Sequence, residues 1–302
     1  LIARAVCILS AVFVCLGMCA HSRVSAVTIQ EIVDQVSQAS YTDYLNTLLY
    51  THRGDNRDDT GGPQHDPCAD NCFVQLRRFG ITTYYDPFTW TTGGMTYNMR
   101  NVVGVKQGII SPDDIYVVGA HYDSVGNAGA DDNGSGVAGV LEAARVLAPH
   151  TFAKTMIFAI FDNEEGSHGG SKHMVSDLAA HPPKGMISID MIAWNDPSNR
   201  NKAYCYSRTP QSDSVRASLQ SMVSLYGNGL TFYYAGVTTG SDHEPFETAG
   251  LPAAYFCEDD KNPYWHNVND TVDTTGYIDY AYGTKFVRCT VGWLATNAGL
   301  IQ

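Results

Sequence analysis

Basic residues are few in this sequence and nowhere gathered: 19 Lys and Arg stand against 31 Asp and Glu, a formal net charge of −12. Binding a polyphosphate backbone depends on clustered Lys and Arg that displace condensed counterions, so the lack of any such cluster argues against nucleic acid as a partner. Paired cysteines are also scarce. Cys68 and Cys72 stand close together in PCADNC, but no second pair sits at ligand spacing, which argues against a zinc site built from thiolates. The apolar run from Ala5 to Ala20 falls short of the roughly 20 residues that span a bilayer.

That run follows a single basic residue, Arg4, and is followed by the small-residue site Val24-Ser25-Ala26. The pattern predicts a signal peptide over residues 1–26, cut after Ala26 with Ala20 as the second choice, and a secreted, extracellular protein with no membrane attachment after cleavage. Loss of Arg4 and Arg23 with the leader takes the formal charge from −12 to −14. Cys7, Cys15 and Cys19 leave too, so five of the eight cysteines remain. Export permits disulfides, and Cys68 with Cys72 is the candidate pair; Cys205, Cys257 and Cys289 would supply one bridge and one thiol. The remainder, residues 27–302, has the length and the apolar content of one large domain, expected to be monomeric.

Apolar residues recur at helical spacing from Thr28 to about Tyr50, with a break near Ser40. His52 to Pro67 is polar, aperiodic and rich in turn residues, which predicts an exposed loop with His52 and His65 as surface residues. Beyond it, strands are predicted at Asn101–Lys106, Asp114–Gly119, Thr155–Phe161, Met186–Ile192 and Ala203–Tyr206, and helices at Ser135–Leu147, Ser212–Tyr226 and Thr284–Ala298. Such alternation implies a three-layer α/β/α sandwich around a mixed, mostly parallel sheet. Ligands of such sheets gather beyond the carboxyl ends of the strands.

The unusual residues lie at those ends. IYVVGA runs into His121-Tyr122-Asp123, where an imidazole can bind a metal while a nearby carboxylate fixes its tautomer. GADDNGSG packs Asp131 and Asp132 into a Gly-rich turn leading into a helix; adjacent carboxylates repel, and a turn that places one of them inward calls for a cation. Ser135 is placed to cap that helix. MIFAIFDNEEG runs from an apolar strand into Glu164 and Glu165, of which one can bind metal while the other acts as a base. Asp190 sits inside the apolar MISIDMIAW, where a lone carboxylate has to be paired or coordinated. His266 follows a later strand in YWHN. Oxygen and nitrogen donors without thiolates suit zinc, with cobalt or manganese as substitutes.

In order, HYD, GADDNGSG, DNEEG, IDMI and WHNVNDTVD resemble the motif set of the co-catalytic zinc peptidases, which include secreted leucyl aminopeptidases and glutamate carboxypeptidase II. The resemblance covers Asn101 to the C-terminus, and no inserted domain separates the motifs. It implies two zinc ions per chain: His121 and Asp190 on one, Glu165 and His266 on the other, and Asp131 bridging both. It also implies Glu164 as general base, Asp123 as a supporting residue, and a cis peptide between Asp131 and Asp132. The activity implied is hydrolysis of N-terminal residues from peptide substrates. The alternatives on the same fold are a glutaminyl cyclase-like acyltransferase and a carboxypeptidase, the latter needing a basic residue such as Arg100 or Arg208 in the pocket. Ser241-Asp242-His243 resembles a pocket-side segment of many relatives, with His243 expected to hydrogen-bond rather than ligate. The sequons at Asn133 and Asn269 lie in or near the ligand segments, and Asn133 is expected to stay bare.

Overall fold

The computed structural model describes residues 26–49, 62–259 and 261–301. The expected leader, Ala26 excepted, and His52 lie outside them. Thr28 opens α1 (Ile29–Val33) with a reciprocal capping box to Glu31, and Ser37 accepts from the Ser40 amide to open α2 (Gln38–Asp43). The break in the first helical stretch therefore falls at residues 34–37, ahead of Ser40.

The loop expected over His52–Pro67 gives way at its end to α3 (His65–Arg78), which buries Cys68, Ala69, Cys72 and Leu76 as one stripe. His65 is buried rather than exposed: its Nε2 meets Asp162 Oδ1 at 2.8 Å. No disulfide joins the described cysteines. Cys68 and Cys72 lie one turn apart on α3, where Cβ atoms stand roughly 5–6 Å apart; a disulfide needs about 3.5–4.5 Å.

The strands are β1 (Thr82–Thr92), β2 (Met95–Lys106), β3 (Ser111–His121), β4 (Lys154–Phe161), β5 (Gly185–Ile189), β6 (Lys202–Tyr206), β7 (Thr231–Gly236) and β8 (Ala253–Cys257). They form one sheet in the order β1-β2-β4-β3-β5-β8-β6-β7. The run β4-β3-β5-β8 is parallel, flanked by antiparallel pairings on both sides, so the mixed, mostly parallel sheet expected from the sequence is what forms. Along β4, Met156, Phe158 and Ile160 face one apolar core while Ile157, Ala159 and Phe161 face the other. Period-2 alternation with both faces apolar is what a strand covered by helices on each side requires.

The larger core lies under α4 (Gly136–Leu147), α7 (Asp213–Tyr226) and α9 (Tyr280–Ala298); the smaller takes Met174 from α6 (Gly169–Asp177) and Phe246 from α8 (His243–Thr248). The one-turn α5 (Glu164–Ser167) precedes α6. No described helix is long and apolar enough to cross a membrane.

Candidate metal centre

Four parallel strands deliver side chains to one end of the sheet. His121 is the last residue of β3, Glu164 and Glu165 open α5 just beyond β4, Asp190 follows β5, and His266 lies in the loop after β8. Asp190 thus stands just outside its strand, where the chain turns through a left-handed Met191 (φ 51°). Asn163 and His266 also adopt positive φ, at 58° and 52°. Non-glycine residues in this region cost free energy and cluster where side chains must be aimed at a site.

The fourth carboxylate comes from the turn before α4, and it belongs to Asp132. Its Oδ1 lies 3.3 Å from His121 Nε2 and its Oδ2 lies 3.3 Å from His266 Nε2. Asp131, the bridging residue expected from the sequence, points the other way. Its Oδ1 accepts from the Ala193 amide at 2.9 Å and its Oδ2 from Asn262 Nδ2 at 3.0 Å. The backbone explains the exchange: Asp132 (φ −100°, ψ 92°) and Asn133 (φ −124°, ψ 45°) leave the helical region between Ala130 and Ser135, so successive side chains diverge. The cis bond lies one residue later than expected, between Asp132 and Asn133. Gly136 is required here, because a Cβ would stand 2.2 Å from Asn133 Oδ1 and 2.3 Å from the Ile189 carbonyl. Ser135 does not cap α4; its hydroxyl donates to the Asp131 carbonyl at 2.8 Å and accepts from the Ile192 amide at 3.0 Å.

The remaining expected residues converge. His266 Nε2 is 3.0 Å from Glu165 Oε2, and His121 Nε2 is 3.5 Å from Asp190 Oδ1. Glu164 Oε2 faces His121 Nε2 at 4.0 Å. Asp123 holds the segment beneath: its two oxygens accept from the amides of Glu164 (3.1 Å) and Glu165 (3.0 Å), and its Oδ1 lies 3.4 Å from His121 Nδ1. His243 is buried and meets the Thr238 carbonyl at 3.2 Å, away from the cluster.

The electrostatics of the cluster call for a cation. Burial and the Asp132 carboxylate push Glu165 up to about 8, and burial, with Asp190 and Asp123 adding to it, raises Glu164 well above the glutamate range. His121 is buried, which opposes its ionisation, yet Asp190 and Glu164 outweigh that and raise it strongly. Hydrogen bonds to Asp132 and Glu165 lift His266 to about 10. Two buried carboxylate oxygens in this cluster, Glu165 Oε1 and Asp190 Oδ1, accept no hydrogen bond. Orphaned buried acceptors beside imidazole nitrogens are what a metal-ligand set looks like without its ion. His121, Asp132 and Glu165 each offer a donor atom, all within 4.8 Å of one another.

Residues 101–282 match peptidase family M28. The chain belongs to that family. Among its relatives is the aminopeptidase YwaD of Bacillus subtilis, 34% identical over 188 residues, covering 58% of this chain and 40% of that protein. A probable zinc metalloprotease of Pyrenophora tritici-repentis is 27% identical, with 67% of this chain covered. The chain spans between 40% and 58% of the length of these relatives. In fold it is similar to the aminopeptidase of Aneurinibacillus sp. strain AM-1 (TM-score 0.76, 16% identity, 91% of this chain and 97% of that one). It is also similar to the glutaminyl cyclase of Macrostomum lignano (TM-score 0.75, 18% identity, 92% and 94%).

The M28 site contains residues that the sequence did not single out. Asp270 is buried and accepts from the Asp131 amide at 2.8 Å and the Asp132 amide at 3.1 Å, which fixes the ligand turn. It lies within WHNVNDTVD, where nothing in the spacing separates it from Asp273. Glu258 accepts from the Trp194 amide and, at 2.8 Å, from Asn262 Nδ2; burial and the Asp131 carboxylate raise it well above the glutamate range. A polar pair at a strand end, Glu258-Asp259, was the available signal. Asn133 is fully buried, with its amide donating to the Ile189 carbonyl at 3.0 Å, so its sequon has no exposed acceptor.

Proposed function

We propose that this M28 protein is a secreted zinc-dependent exopeptidase, and specifically an aminopeptidase that removes N-terminal residues from peptides. The observation that carries the reading is the character of the cleft, a cavity of about 630 Å³ that opens onto the candidate ligands. Six carboxylates line it (Asp132, Glu164, Glu165, Asp190, Glu258 and Asp259), and among its described lining residues there is no Lys or Arg. Beyond the three carboxylates that bound cations would neutralise, acidic side chains remain for a free α-ammonium group, and no basic side chain lines the cleft to hold a C-terminal carboxylate. The basic residues a carboxypeptidase would need are engaged elsewhere: Arg100 with Asp66 and Asp70, Arg208 with Glu244.

The residues present fit two zinc ions: His121 and Asp190 would hold one and Glu165 and His266 the other, with Asp132 lying between the two histidines. Bound there, zinc lowers the pKa of water and polarises a carbonyl. Glu164 faces this cluster and takes the proton of the attacking water, then returns it to the departing amine. Asp123 keeps that segment in register by holding both glutamate amides. Tyr206, Val237, Tyr255 and Trp265 give the cleft an apolar wall for the substrate side chain. The leader over residues 1–26 directs export, and the processed chain acts as a monomer on peptide substrates.

A panel of aminoacyl chromogens, their N-acetyl counterparts and C-terminally blocked peptides tests the reading on purified protein. Cleavage that needs a free N-terminus and stops with a zinc chelator is expected. Turnover of N-acetylated peptides that needs a free C-terminus would overturn it, and cyclisation of an N-terminal glutamine without hydrolysis would favour the acyltransferase alternative.

A further inference from the structure

We infer that His168 is a positioning residue for Glu164, fixing the carboxylate through a side-chain relay that runs on to Glu244 and Arg208. The inference rests on Glu164 being the general base. His168 Nε2 lies 3.1 Å from Glu164 Oε1, while the other oxygen of that carboxylate faces the candidate ligands. Across the ring, His168 Nδ1 lies 3.5 Å from Glu244 Oε2. Glu244 is itself held, its Oε1 accepting from Arg208 Nη1 and from Thr248 Oγ1 at 2.8 Å each.

The backbone is shaped for this contact. His168 joins α5 to α6 at φ 54°, a left-handed conformation that a non-glycine L residue adopts at a cost. Its amide donates to the Glu164 carbonyl at 2.9 Å and its carbonyl accepts from Ser171 Oγ at 3.2 Å, so the turn is clamped on both sides. A histidine oriented on one ring nitrogen by a carboxylate presents the other at a fixed angle, as in sites where a catalytic group is steered by a neighbour. His168 also lines the cleft, where loss of the contact would free Glu164 to rotate among staggered positions at the point where placement matters.

The test compares five variants with wild-type protein: His168→Asn, His168→Gln, Glu244→Gln, Glu164→Gln, and His168→Asn combined with Glu164→Gln. Asparagine tolerates the left-handed backbone but is too short to replace Nε2, whereas the glutamine amide can reach it. His168→Asn is expected to lower kcat by roughly 10- to 100-fold, with KM within about twofold and zinc content by elemental analysis unchanged. His168→Gln should recover most of the loss, Glu244→Gln should fall between, and His168→Asn should add nothing to Glu164→Gln. Wild-type kcat in a folded, zinc-loaded His168→Asn protein, or a change confined to KM, overturns the role of His168 while leaving Glu164 as the base. Full turnover by Glu164→Gln overturns both.

Discussion

Asp131 and Asp132 are adjacent in the chain and face opposite ways: Asp132 spans the imidazoles of His121 and His266, while Asp131 is sealed behind it by Ala193 and Asn262. The pair divides one acidic turn into a candidate ligand and a brace.

That division separates the consequences of two conservative substitutions. Asp132→Asn should abolish binding of at least one zinc ion, read by elemental analysis after dialysis. Asp131→Asn should keep the zinc and lower stability by roughly 1–3 kcal/mol, since the new amide turns a donor toward a buried amide N–H. Equal zinc loss in both proteins would remove the distinction.

On the proposed mechanism, replacing Glu164 by Gln preserves shape and removes the base. Turnover should drop by roughly 10²- to 10⁴-fold with zinc content intact. Activity close to wild type in that protein would assign the base elsewhere.

Asp123 accepts from two amides at once, so Asp123→Asn would set an NH₂ group against one of them. The segment carrying Glu164 and Glu165 should loosen, and zinc affinity should fall by roughly 10- to 100-fold in competition with a chromogenic chelator. Unchanged affinity would show that the imidazole and carboxylate ligands need no such support.

His65 ties α3 to the end of β4 through Asp162, which also accepts from Tyr122 Oη at 2.7 Å. Burial opposes protonation of His65, but Asp162 prevails and raises it from 6.5 to about 9. A raised imidazole binds its proton more tightly in the folded chain than in the unfolded one. Its stabilisation is therefore whole below pH 6.5 and fades as pH climbs through about 9. The midpoint difference in urea between wild-type protein and His65→Gln should be largest near pH 6 and shrink by pH 9.5; a difference independent of pH would argue against the charged pair.

Much of the fold could be read along the chain because it rests on local periodicity. β4 announces itself by an unbroken apolar run with both faces buried, and α4 by its Ala, Val and Leu content. The helix over His65–Arg78 is hidden because its buried stripe is mostly Cys and Ala, with one Leu, interleaved with charge, a weak apolar signal beside the turn residues that precede it. β1, with mostly alternating half-exposed residues at the sheet edge, was equally faint.

By itself, the sequence determined the chemistry available: which strands end in His121, Glu164, Glu165 and Asp190, that an acidic Gly-rich turn precedes a helix, and that a late histidine follows the final strand. Residue type and strand periodicity are local, and they survive without coordinates. Only the tertiary structure decided which of two adjacent aspartates turns inward, that His65 is buried against Asp162, and that Asp270, Glu258 and His168 stand behind the site. Those outcomes depend on backbone torsions within one turn and on contacts between segments up to 139 residues apart, such as Asp131 with Asp270, which no local pattern encodes.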